Sequence, residues 1–118
     1  MIIQTLASIV LGTASVPHTE KLAYNAGCGT ATYYDNWYDG RPTSSGAIYS
    51  RYGLTAASRD FKNGTQLLVT DQDTNKSVEV EINDTGDMPF LDLSEEASIR
   101  LGKTGQPDNR YVCVQVIQ

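Results

Sequence analysis

Clustered basic residues, histidines and long apolar runs are what this sequence lacks. Nine Lys and Arg are scattered through 118 residues against fourteen Asp and Glu, for a formal net charge of -5. Neither nucleic acid nor an anionic membrane is an expected partner, because both call for cationic side chains massed on one face. Histidine occurs once, as His18 in the N-terminal tail, and cysteine twice, as Cys28 and Cys113. That set is too sparse for a metal site, and no cofactor is expected. No apolar run is long enough for a comfortable membrane span, and there is no internal repeat or low-complexity tract. With 40% apolar residues, the chain is one domain that buries about two-thirds of its unfolded surface.

What is there begins with an apolar stretch, Ile2-Ile3 and Leu6 to Leu11, that runs into the small residues Gly12-Thr13-Ala14-Ser15. This order reads as a secretory signal peptide over residues 1–16; the alternative is an apolar strand or helix that stays attached. Residues 17–27 read as a short polar linker and 28–118 as the compact domain. In an exported chain Cys28 and Cys113 are expected as a disulfide, the alternative being two buried thiols.

Periodicity supplies the elements. Gly29 to Tyr34 is rich in β-branched and aromatic residues and reads as a strand ending in the loop Asp35 to Gly40. Leu54 to Ala57 is a short strand. Thr65 to Thr70 is a better one, with Leu67 and Val69 on one face, and Asp71 to Asn75 supplies a hairpin turn. Lys76 to Asn83 alternates strictly, Val78, Val80 and Ile82 inward against Ser77, Glu79 and Glu81 outward. Ser94 caps a helix that Gly102 ends, with an apolar stripe of Ala97, Ile99 and Leu101. Tyr111 to Ile117 closes the chain as a strand. Short strands, long polar loops and one helix predict a small closed β-barrel, mainly β, since closure removes exposed edges.

The candidate for chemistry is Asp84, in Asn83-Asp84-Thr85-Gly86, where the most secure strand runs out into a polar turn; the alternative is a turn aspartate that accepts backbone hydrogen bonds. A general acid there needs a raised pKa, for which Asp87 is the expected negative neighbour and Tyr33, Tyr34, Trp37 and Tyr38 the expected apolar walls and sugar platforms. Asp92, just before the helix, reads as a structural acceptor near the helix start, the alternative being a second catalytic carboxylate, and Arg41 as a clamp on its loop or a substrate contact.

In order along the chain stand Gly29-Thr30-Ala31-Thr32-Tyr33-Tyr34, Gly40-Arg41-Pro42-Thr43-Ser44-Ser45-Gly46, Leu54-Thr55-Ala56-Ala57, Gly64-Thr65, Val69-Thr70, Asn83-Asp84-Thr85-Gly86 and Leu91-Asp92-Leu93-Ser94 with Ala97 and Leu101-Gly102. Over residues 28–117 this series resembles the rare lipoprotein A (RlpA)-like double-psi β-barrels, relatives of the expansin catalytic-type domain. The resemblance implies a six-stranded double-psi β-barrel with one short α-helix. It also implies an exported, secreted or periplasmic monomer, free of the membrane in its mature form, acting on peptidoglycan as a lytic transglycosylase. Asp84 is then the proton-transferring residue, with Ser58 orienting it and Tyr34, Trp37, Arg41, Thr43, Thr55 and Asn83 contacting the glycan.

Two positions depart from the family pattern, which commonly has His where this chain has Ser58 and Glu where it has Ala47. Those losses favour the alternative of a non-catalytic, expansin-like polysaccharide-binding module. A third class is a secreted protease-inhibitor-like barrel that presents its loops to a protein partner.

Overall fold

A computed structural model describes residues 22–105 and 109–118. The expected signal peptide and His18 lie outside the described residues. Six strands and one helix follow in the order β1 (Ala23–Tyr33), β2 (Thr55–Ala57), β3 (Gln66–Asp71), β4 (Ser77–Asp84), β5 (Leu91–Leu93), α1 (Glu95–Arg100) and β6 (Arg110–Ile117), with a 3-10 turn at Asn36–Tyr38. The strands close in the order β1-β5-β2-β4-β3-β6, so this is the closed six-stranded barrel with one short helix that the resemblance implies. Two pairings, β1 with β5 and β2 with β4, are parallel and the other four antiparallel. Crossovers between non-consecutive strands bring residues from distant parts of the chain onto neighbouring ladders.

The alternating strands do what their pattern demands. Leu67 and Val69 of β3, Val78, Val80 and Ile82 of β4, and Val112 and Val114 of β6 fill the barrel with Ala31, Ala56, Leu91 and Leu93. On α1, Ser94 accepts the N–H of Ala97 as N-cap, and Ala97 and Leu101, one turn apart, face that core. Ile99 is a correction: it is 61% exposed, because the 3.6-residue period turns it away from Ala97 and Leu101.

One further expectation changes. Residues 23–27, read as linker, are strand, since Ala23, Tyr24 and Asn25 pair with Ile117, Val116 and Gln115. The pairing partner lies some ninety residues away, which no local pattern discloses. Strand β5, three residues long, is too short for periodicity to reveal. Asp71 opens the hairpin turn as expected, its Oδ1 accepting the N–H groups of Asp73 and Thr74, and it is also the fully buried last residue of β3, where it receives Arg110 Nη1 at 2.8 Å. The other terminal nitrogen of Arg110 donates to the Ser98 and Gly102 carbonyls, tying the helix C-terminus to the barrel.

Cys28 and Cys113 stand opposite each other on β1 and β6 and are bonded, 85 residues apart in sequence. They close the seam between the first and last strands.

Candidate functional site

The site begins with a β-bulge. Ala56 of β2 opposes Ile82 of β4, but the next residue, Ala57, opposes Asp84, so Asn83 is the extra residue without a partner. Strict alternation would carry Asp84 to the barrel interior with Ile82. The bulge turns it instead to the face of Ala57, the usual service of a bulge beside a functional residue. The local misfit is visible in Asn83, whose buried Oδ1 has no hydrogen-bond partner among the described residues.

Ala57 also opposes Asp92 of β5, and Asp92 opposes Thr32 of β1. Thr32, Asp92, Ala57 and Asp84 therefore form one row across four neighbouring strands, with the two carboxylates flanking an alanine. Alanine at that position leaves the space between them clear of a long side chain. Asp92, read as a structural acceptor, takes the Thr32 hydroxyl and also shares this row. The signal for it is the register of a three-residue strand, which emerges only when the barrel closes.

The environments of the two carboxylates differ. Asp84 accepts three hydrogen bonds: Tyr34 Oη donates to Oδ2 at 2.7 Å, while the backbone N–H groups of Ser44 and Thr85 donate to Oδ1, each at 2.9 Å. Asp92 accepts one from a side chain, Thr32 Oγ1 at 3.0 Å. Burial pushes the Asp92 carboxyl up from its ordinary pKa; the Thr32 bond opposes that rise and the charge of Asp84 adds to it. Burial and then the Asp84 hydrogen bond push the Tyr34 phenol far up as well, so it remains a proton-bearing donor.

Tyr34 is held by packing. It is 5% exposed, stacked on Tyr49 with centroids 4.2 Å apart, and its cluster is completed by Ala57 and Met88. Tyr38 meets Tyr34 edge-on at 5.7 Å, and Trp37 meets Tyr38 edge-on at 5.1 Å. Tyr33, on the opposite face of β1, is outside this group. Of the four aromatics weighed as walls, Tyr34 is the one whose side chain bonds Asp84.

The loop word Gly40 to Gly46 supplies the second contact. Thr43 Oγ1 donates to the Ala47 carbonyl at 2.7 Å, and Gly46, at φ +94°, donates its N–H back to the Thr43 carbonyl. This turn aims the Ser44 N–H at Asp84, so Thr43 is built into the loop. Arg41 Nε donates to the Trp37 carbonyl, and its guanidinium lies 3.3 Å from the Trp37 ring centroid.

Other expected partners stand elsewhere. Asp87 is exposed and paired with Arg59 at 3.1 Å, leaving Asp92 as the negative neighbour of the site. Ser58 is buried, and its Oγ accepts the N–H groups of Asp60 and Phe61; its link to Asp84 runs through backbone, Ser58 N to the Asp84 carbonyl at 3.0 Å. The hydroxyl that was expected to orient the carboxylate instead shapes the next turn. Thr55 is half-buried two residues before Ala57, with its backbone tied to Ser94. A cavity of about 820 Å³ lined by Tyr33, Arg51, Glu95 and Arg110 includes neither Asp84 nor Asp92 among its walls. No cluster of potential metal ligands occurs among the described residues.

Barrel topology and an aspartate presented by a bulge, with a tyrosine and a loop amide bound to it, define a class of small double-psi β-barrels with a carboxylate-bearing face. The chain belongs to the RlpA-like double-psi β-barrel family: residues 26–116 match the family model described as lytic transglycolase. It is 38% identical over 98 residues to the endolytic peptidoglycan transglycosylase RlpA of Pseudomonas aeruginosa, covering 79% of this chain and 28% of that protein. The protein of the same name from Vibrio cholerae is 36% identical over 92 residues, covering 75% of this chain and 35% of its own. The probable enzyme of that name from Treponema pallidum is 40% identical over 78 residues, 62% of this chain and 24% of its own. The chain thus spans about a quarter to a third of the length of these curated relatives.

Proposed function

We propose that this domain cleaves the glycan strands of peptidoglycan without water, as a lytic transglycosylase, and that Asp84 and Asp92 divide the proton transfers. The observation that carries the reading is the unequal setting of two carboxylates on one row. Sites that run acid and base chemistry together hold paired groups whose environments push their proton affinities apart. Asp92, desolvated and facing a negative neighbour, suits the acid that protonates the glycosidic oxygen. Asp84, with three donors aimed at its oxygens, suits the carboxylate that takes the proton from the sugar's own 6-hydroxyl as that oxygen closes on the anomeric carbon. The bond to the leaving sugar breaks as the intramolecular one forms, and the product is a 1,6-anhydro end.

Peptidoglycan lies outside the cytoplasmic membrane, so the reading carries a secreted or periplasmic location. The apolar stretch at residues 2–11 and the Cys28–Cys113 bond support it. No helix among the described residues is long and apolar enough to cross a membrane. Tyr34 and Ser44 act as positioning groups for Asp84. We place Trp37 and Arg41 among the glycan contacts, with Thr55 and Asn83 beside the row.

A second reading rests on positions 47 and 58, where Ala and a turn-bound Ser replace titratable groups of the family pattern: the same face then binds polysaccharide without cutting it. Product analysis on purified glycan strands separates the two. The enzyme reading expects anhydro-ended fragments from wild type and their loss in both Asp84→Asn and Asp92→Asn. Binding to insoluble strands with no fragments from any form would leave the binding module.

A further inference from the structure

The cavity bounded by Tyr33 and Arg51 plays no part in the carboxylate row. It holds about 820 Å³ between the end of β1 and α1, and Tyr33, Asn36, Arg51, Glu95, Ile99 and Lys103 are among its lining residues. Successive residues of a strand face opposite ways, so Thr32 turns to Asp92 while Tyr33 turns to the cavity. On the helix, Glu95 and Ile99 lie one turn apart, on a stripe separate from the one that Ala97 and Leu101 bury. Ile99, turned from the core, and Tyr33, 44% exposed, thus border one hollow from two different elements. Single exposed apolar side chains are ordinary. Two that converge on a cavity of this size, beside a few fixed polar groups, have the usual form of a small-molecule site.

The polar groups are fixed and mutually neutral. Arg51 Nε and Nη2 hold the Glu95 carboxylate through three contacts of 3.1, 2.8 and 3.1 Å, and the Glu95 N–H donates to Tyr49 Oη. Arg110, also in the wall, is taken up by Asp71, and Lys103 stands exposed to solvent. Arg51 Nη1 takes no part in the pair with Glu95, and a carboxylate offers more lone pairs than that pair fills. With side chains 29% and 25% exposed, Arg51 and Glu95 are within reach of a ligand as donor and acceptor. A nucleotide or phosphate calls for free cations massed at the site, and an acyl chain for walls without ionic groups. A pyranose ring suits these walls, since it offers a C–H face to an aromatic ring and hydroxyls that both donate and accept.

We propose that this cavity is a second glycan site, separate from the carboxylate row, which seats a neutral pyranose unit with its C–H face on Tyr33 and its hydroxyls on the Arg51–Glu95 pair. The two sites lie on opposite faces of β1, so one strand segment is held while another is presented to Asp84 and Asp92, and each attachment strengthens the other. This rests on the polysaccharide reading above.

The experiment is an NMR titration of the Asp84→Asn protein with short, soluble, peptide-free glycan strands, repeated with Tyr33→Ala or Ile99→Asp added. Amide shifts are expected in two sets, one along the row at Thr32, Ala57 and Asp92 and one at Asn36, Ile99 and Lys103. Tyr33→Ala should weaken the second set about 10-fold, the scale of uncovering part of one ring, and leave the first as it was. Ile99→Asp, on the other wall, should do the same. Shifts along the row alone, or a second set that neither substitution weakens, overturn the second site and leave the polysaccharide reading standing. Equal weakening of both sets by both substitutions makes them one site and overturns the proposal as well. Absence of shifts in either set overturns both readings.

Discussion

Tyr34 Oη donates to Asp84 Oδ2 at 2.7 Å, joining residues fifty positions apart. Tyr34→Phe removes that bond alone, since the ring keeps its stack on Tyr49. A bond to a charged acceptor contributes about 1.5–3 kcal/mol. Strand cleavage by the variant should show kcat about 10-fold lower with little change in KM, because the group lost positions the carboxylate and need not touch the glycan. Steady-state assays on purified strands read that split; an altered KM at unchanged kcat would assign Tyr34 to binding.

Asp92→Asn should stabilise the domain while ending cleavage. The native pKa of Asp92 lies above the ordinary carboxyl value of about 3.9, so the folded state holds its proton more tightly than the unfolded chain does. That contribution is complete below about pH 4 and disappears as pH rises through the raised native value, above which a partly buried charge is a burden. Asparagine carries no such charge and still offers an oxygen to Thr32. Melting curves should show the variant level with wild type near pH 3 and above it at pH 7.

The Asp71–Arg110 pair has the opposite sign. Burial pushes the Asp71 carboxyl up, but the N–H groups of Thr74 and Asp73 and the Arg110 guanidinium together bring it below its ordinary value. Its contribution is present above the unfolded pKa of about 3.9 and is lost as pH falls through the depressed native value. Acid unfolding followed by circular dichroism should track this loss. Arg110→Met should cost about 3 kcal/mol at pH 7 by leaving a buried carboxylate unpaired, and that deficit should shrink in acid.

Reduction of Cys28–Cys113 should cost about 4 kcal/mol, the loop-closure contribution of a bond that spans 85 residues. Urea unfolding with and without dithiothreitol measures it. Cys28→Ala/Cys113→Ala should match the reduced protein and not respond to reductant.

Legibility in the sequence followed the range of the interactions involved. Strand β4 and the Ser94 cap were readable because alternation and capping act over a few residues, and Val78, Val80 and Ile82 face the core as their pattern requires. Ile99 was misassigned because a 97/99/101 spacing is the period of a strand, whereas residues two apart on a helix lie about 200° apart. The mates of Asp84 were less legible. Asp87 is near in sequence yet points to solvent beside Arg59, while Asp92, on a three-residue strand, shares its row.

Composition, alternation and the ordered motif words pointed on their own to the barrel class and its family and singled out Asp84 as the candidate, since these rest on local chemistry. The tertiary structure alone decided that a bulge at Asn83 would turn Asp84 outward, that Ala57 would seat it beside Asp92, and that Tyr34 rather than Ser58 would hold it. Those relations depend on register between strands far apart in the chain, and register is set only when the crossovers close the barrel.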